Sequence, residues 1–221
     1  MLASELINHM IPPLKLTDTT AHALVWMDEF RCNQLPVVNN GEFLGLISED
    51  LILNNEQEVA MVKDIELDCI HCKVTETTHF FDIIKLAASS NVELVGVVNA
   101  NNQYVGVITI KDTISALSQT LAIQSNGAVL ILSMKAIDYS LSEISRLVET
   151  EGFKVLSSSL QKEDENHEMV KLTLKVDSEE VGRLVATLER FNYKVIARLD
   201  DNEDPQHDQE RLDILLKYLE M

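Results

Sequence analysis

The sequence predicts an α+β protein in two parts: a front half that uses one unit twice, and a rear half of the order β-α-β-β-α-β. Three observations lead there. First, Gly45-Leu46-Ile47-Ser48-Glu49-Asp50-Leu51-Ile52 and Gly106-Val107-Ile108-Thr109-Ile110-Lys111-Asp112-Thr113-Ile114 each read as a short apolar strand that ends in a hydroxyl residue and opens into a helix. Second, the surroundings repeat as well. Thr17-Asp18-Thr19-Thr20 returns about 58 residues later as Thr75-Glu76-Thr77-Thr78, and Pro36-Val37-Val38-Asn39 returns as Gly96-Val97-Val98-Asn99. Third, the rhythm changes after the small polar stretch Gln124-Ser125-Asn126-Gly127. The expected domains are therefore 1–124 and 127–200, with 201–221 an acidic linker and a terminal helix.

In chain order, Ser4 to Met10 reads as a short helix capped by Ser4 and stopped by Pro12-Pro13, with a counterpart at Val59 to Ile65. Thr20 to Phe30 places Ala23, Leu24, Met27 and Phe30 at helical spacing, with Thr20 as its cap. Its partner, Thr78 to Ala88, places Phe81, Ile84 and Ala88 on one face. Strands follow at Leu35–Val38 and Phe43–Ile47, joined through Asn39-Asn40-Gly41, and again at Leu94–Val98 and Tyr104–Ile108. A helix runs from Ile110 past Leu117. In the rear half, Ala128–Met134 is a strand and Ser140–Glu151 a helix with Ile144, Leu147 and Val148 inward, ended by Gly152. Lys154–Leu160 and Met169–Val176 are strands about the polar loop 162–168, and in the second of them Lys171, Thr173 and Lys175 form a wet face. Glu180–Phe191 is a helix and Lys194–Leu199 the last strand, completing a ferredoxin-like order. Leu212, Leu215, Leu216 and Leu219 then form a stripe that needs covering by the chain itself or by a partner.

A hydrophobic fraction of 46% supports real cores. A net charge of −18 argues against binding nucleic acid or an anionic membrane surface by bulk electrostatics. The start, Met-Leu-Ala-Ser-Glu, lacks the basic and apolar regions of a signal peptide, and apolar runs such as Ala128–Leu132 are too short to span a bilayer. Three cysteines fit a reducing compartment, and the expected location is cytoplasmic.

The Thr-Asp-Thr-Thr-Ala segment, the Leu35-Pro36-Val37-Val38-Asn39 strand and the repeated Gly-apolar-apolar-Ser/Thr-x-x-Asp turn resemble the tandem cystathionine β-synthase (CBS) domain pair, or Bateman module, over about Leu2 to Leu121. The resemblance implies β-α-β-β-α units, a pseudo-two-fold pair, and clefts that take adenosyl ligands, with the turn's hydroxyl on phosphate and its Asp on ribose. Those roles fall on Thr109 and Asp112. In the first copy Asp50 follows Ser48 by two residues instead of three, so Asp50 points elsewhere or Glu49 stands in, and the second site matches the pattern better. The rear half, through Ser140-Leu141-Ser142-Glu143-Ile144 and the strand after it, resembles the ACT family of small regulatory domains. That family's glycine before the first helix is replaced by Asp138-Tyr139-Ser140, so side-by-side pairing, more than amino-acid binding, is what the resemblance implies. A CBS pair followed by an ACT-like domain is also similar to the bacterial acetoin-utilisation regulatory type.

The candidate ligand residues are Ser48, Asp50, Thr109, Lys111 and Asp112, and the expected ligand is AMP, ADP or ATP, with Mg2+ assisting where phosphates outnumber cations. Lys111 lies inside the second turn, and Arg31 precedes the first Pro-Val-Val strand. Cys69-Ile70-His71-Cys72 offers only one Cys pair where structural zinc usually has two. It aligns with the plain segment Ile11-Pro12-Pro13-Leu14, so no metal is expected there. No nucleophile–base arrangement is present, which predicts a non-catalytic regulator, the alternative being a structural dimer with degenerate sites. The expected assembly is a homodimer acting on a protein target, with Leu24, Met27, Ile83 and Leu86 presented to the second copy.

Overall fold

A computed structural model describes residues 1–55, 60–163 and 168–199; the leucine stripe from Leu212 and the acidic run before it lie outside these. The chain divides into two compact units, Met1–Leu117 and Ser118–Met221.

In the first unit the repeat is visible bond by bond. Helix α1 (Thr20–Phe30) leads into β1 (Gln34–Asn39), β2 (Glu42–Ser48) and the short α2 (Glu49–Leu53). The second copy is β3 (Lys73–Thr75), α3 (Phe80–Ser90), β4 (Leu94–Val98), β5 (Tyr104–Thr109) and α4 (Ile110–Thr120), whose last turn passes the unit boundary. In the first copy a single parallel bridge, Leu14 to Val37, stands where β3 pairs with β4. Both hairpins are antiparallel and both shift register at the same place, between Val37 and Val38 and between Val97 and Val98. Asn40 and Gly41, both at positive φ (50° and 81°), close the first hairpin as a two-residue loop whose twist matches its strands. Across the two copies Phe43 stacks on Tyr104, ring planes 11° apart, with Gly96 leaving room for the Phe43 ring.

The two long helices bury the same three positions, Thr20, Ala23 and Met27 in α1 and Phe80, Ile83 and Ala87 in α3. Four sequence expectations change here. The α3 buried face is one residue earlier than expected: Phe80, Ile83 and Ala87 are buried and Phe81 and Ala88 exposed, with His79 capping the helix through Nδ1. Met27 and Ile83, expected on an outer face, lie in the core. In place of the expected Ser4–Met10 helix there is the 3-10 turn Ala3–Glu5, and among the described residues 60–65 the turn Val62–Asp64; Glu5 and Asp64 accept the backbone N–H of Leu2 and Met61. Thr19, one residue before the expected cap, receives the His22 N–H of α1.

The second unit runs β6 (Val129–Lys135), α5 (Leu141–Thr150), β7 (Val155–Lys162), β8 (Met169–Val176), α6 (Gly182–Arg190) and β9 (Lys194–Leu199). Its sheet order is β7-β8-β6-β9, antiparallel throughout, which is the ferredoxin-like arrangement the element order predicted. Leu130, Leu132, Leu172 and Leu174 from the sheet meet Ile144, Leu147, Leu184 and Leu188 from the helices. Lys175 departs from the predicted wet face: it is buried, and its Nζ donates to the Ile123 carbonyl at 3.2 Å. Among the described residues no helix is long and apolar enough to cross a membrane.

Candidate functional site

Each copy ends its second strand in a hydroxyl residue, and each hydroxyl does the same local work. The Ser48 Oγ accepts the backbone N–H of Leu51 at 3.3 Å, and the Thr109 Oγ1 accepts that of Asp112 at 3.1 Å. The fourth residue of the turn is therefore Leu51 in one copy and Asp112 in the other. Only the second has a side chain that can answer. The Asp112 Oδ2 accepts the Thr109 N–H at 2.9 Å and the Thr109 hydroxyl at 2.7 Å. Both partners of this reciprocal cap are held, and Oδ1 takes none of these bonds. Asp50 occupies the place of Lys111, one residue too early to close such a box.

Two clefts follow from the repeat, each assembled from both copies. The second cleft, of about 570 Å³, places Thr109, Lys111 and Asp112 opposite Arg31 at the end of α1, with Asn8 and Met10 along one side. The first, of about 550 Å³, places Ser48 and Asp50 opposite Ser90 and Asn91 at the end of α3, with Asp68, Cys69 and His71 along the equivalent side. Arg31 and Asn91 hold the same left-handed backbone (φ 54° and 52°), which turns the chain out of each helix toward the facing site. The sequence-predicted residues thus separate into two groups, Thr109, Lys111 and Asp112 in one cleft, Ser48 and Asp50 in the other.

The electrostatics differ between the clefts. The second has two cations at its lining, Arg31 and Lys111, against Asp112 and Glu93. The first has Asp50 and Asp68 and neither Lys nor Arg. Cys32, at the second cleft, has its thiol pushed up by burial, with the Glu93 carboxylate adding to the shift and a backbone hydrogen bond at Gln34 opposing it. Two side-chain cations thus balance the two carboxylates of the second cleft, and no Lys or Arg balances those of the first.

Three features escaped the sequence reading. Asn33 and Glu93 stand at matching places in the two copies and bind each other, Glu93 accepting the Asn33 N–H and side-chain amide at 3.3 and 3.2 Å. Their carbonyls also receive the first N–H of each motif helix, Glu49 on Asn33 and Ile110 on Glu93, both at 2.9 Å. This pairing joins residues 60 apart and leaves no local pattern. Second, Cys69 and Cys72 are joined as a disulfide, where the cysteine count was read as fitting a reducing compartment. Third, His71 lies against it, Nε2 3.6 Å from the Cys69 Sγ and 3.3 Å from the Ser90 Oγ.

Comparison with known proteins agrees with the repeat. Residues 59–119, which include Thr109, Lys111 and Asp112, match the CBS domain family profile. The fold is similar to that of a CBS domain pair/ACT domain protein from Thermotoga maritima, with a TM-score of 0.50 and 18% identity over 55% of this chain and 99% of that one. A CBS-pair protein of Arabidopsis thaliana, CBSX2, solved in complex with AMP, is similar at a TM-score of 0.46 and 17% identity, over 53% of this chain and 96% of that one. Inosine-5'-monophosphate dehydrogenase of Methanocaldococcus jannaschii is 23% identical over 150 residues, which is 67% of this chain and 30% of that enzyme. The chain thus spans under a third of the length of the curated relative it matches.

Proposed function

We propose that the protein is a non-catalytic, cytoplasmic regulator whose second cleft binds an adenine nucleotide and whose rear unit, ACT-like in its element order, passes the bound state to a protein target. The observation that carries this reading is the Thr109–Asp112 box. The cap fixes the carboxylate by two hydrogen bonds to one oxygen and leaves the other for a vicinal diol, while Lys111 and Arg31 stand where phosphate would follow. The CBS profile match over the same residues supports an adenosyl ligand in particular. Two cations suit a mono- or diphosphate, and a triphosphate would draw on Mg2+.

Calorimetry with AMP, ADP and ATP, with and without Mg2+, tests the reading. Asp112→Ala is expected to weaken the preferred nucleotide roughly ten- to hundredfold, the loss of a charged acceptor for sugar hydroxyls. Asp50→Ala is expected to leave that affinity within about twofold, since Asp50 lines the other cleft. Absence of any nucleotide binding by the unmodified protein would leave the structural-dimer reading in its place.

A further inference from the structure

The first cleft departs from the second in more than a missing Asp. Its lining has two carboxylates and neither Lys nor Arg, where the second cleft sets two cations against its two carboxylates, so a phosphate is disfavoured in the first. At the place where the second cleft has Met10 and Ile11, the first has the segment Cys69-Ile70-His71-Cys72. The ligand atoms of Cys69, His71 and Cys72 all lie within 4.8 Å of one another, the one such cluster of His, Cys, Asp and Glu among the described residues. We propose that the reduced form of this loop binds one thiophilic divalent ion, of the zinc class, through the two thiolates and the His71 imidazole, with a fourth position open to the cleft.

Geometry supports it. In a tetrahedral zinc site, bonds of 2.3 Å to sulfur and 2.0–2.1 Å to nitrogen set ligand–ligand edges of roughly 3.6–3.8 Å. The Cys69 Sγ to His71 Nε2 distance is 3.6 Å already. The Ser90 hydroxyl, 3.3 Å from the same nitrogen, gives up that contact when the nitrogen takes the ion. The loop is clamped at both ends. Asp68 exchanges two backbone hydrogen bonds with Leu46, each 2.8 Å, and the Cys72 carbonyl receives the Gly96 N–H at 2.9 Å. Gly45, at φ +153°, lets the loop approach: a Cβ there would stand 2.8 Å from the Asp68 carbonyl oxygen. Cys72 is fully buried and Cys69 half-buried, so a thiolate pair here needs a counter-charge, which the ion supplies.

The disulfide and the ion exclude each other. Two equivalents of a monothiol reductant, RSH, supply the two electrons and two protons that open Cys69–Cys72, and leave as RSSR. Each freed thiol then releases one proton as it binds the ion.

Reduced, metal-free full-length protein titrated anaerobically with Co2+ tests the site. One equivalent is expected to bind, with thiolate-to-cobalt charge-transfer absorption that Zn2+ abolishes. His71→Ala should weaken binding at least tenfold, since even outer-shell changes cost about 10–100-fold. Cys69→Ser should lose most of the charge-transfer band, and Cys32→Ser should keep both band and stoichiometry. Melting curves of the metal-free variants separate misfolding from ligand loss, and His71, being exposed, gives a variant expected to fold. No band in the reduced protein, an undiminished band in Cys69→Ser, or equal binding by the oxidised protein would overturn the proposal. None of these outcomes bears on nucleotide binding in the second cleft, so failure of either reading is told apart from failure of the other.

Discussion

At the scale of single residues the structure sets two phenols in contrast. The Tyr104 hydroxyl is buried without a hydrogen-bond partner, and burial pushes its titration above the usual range. An orphaned hydroxyl of this kind costs about 1–3 kcal/mol, so Tyr104→Phe is expected to raise stability by on the order of 1 kcal/mol in a denaturant titration while the stacking on Phe43 persists. Tyr193 is buried too, but donates to the Glu143 Oε2 at 2.8 Å; burial first and this bond second push it up to about 12. The folded state holds that proton more tightly than the unfolded chain does. Its contribution is therefore complete below the ordinary phenol value of about 10 and is lost as pH rises toward the folded value. Alkaline unfolding followed by circular dichroism should show a shallower limb above pH ~10 in Tyr193→Phe than in the unmodified protein. The candidate site was partly legible at this scale. Thr109, Lys111 and Asp112 could be read because strand, cap and helix start follow in one short run. The Glu93–Asn33 pair could not, since nothing within either segment signals a partner 60 residues away.

Among the elements, the two motif helices share a start but differ in how firmly it is made. Ser48 caps the five-residue α2 by one bond, whereas Thr109 caps the eleven-residue α4 and is itself bound by Asp112. Ser48→Ala is expected to cost about 0.5–1 kcal/mol, as for an ordinary N-cap, and Thr109→Ala about 1–2 kcal/mol, both measured as shifts of the urea midpoint. Helix positions were legible from periodicity, and α1, β4, β8 and β9 have the predicted bounds. Phase was harder. His79 is a poor cap by type, yet its ring nitrogen receives the Phe81 N–H, and the buried residues of α3 are Phe80, Ile83 and Ala87, with Ile84 half-buried beside them. Lys175 was misread for a related reason: alternation along a strand reports which face a residue is on, and not whether a carbonyl waits there for its ammonium.

On the scale of the whole molecule, helix surfaces of the first unit expose Val25, Phe81 and Ile114. A homodimer is expected, and light scattering should return twice the 24.9 kDa chain mass across the micromolar range; a single-chain mass would refute it. The duplicated unit has a further consequence. In an assembly of two identical single-repeat chains, one substitution would alter both clefts together. Joining the copies in tandem removes that bond, because the codons are separate while Phe43 and Tyr104 still meet at the seam. Each cleft is thereby free to diverge under its own selection, and the shared frame that holds Asp112 in one can hold Cys69 and His71 in the other.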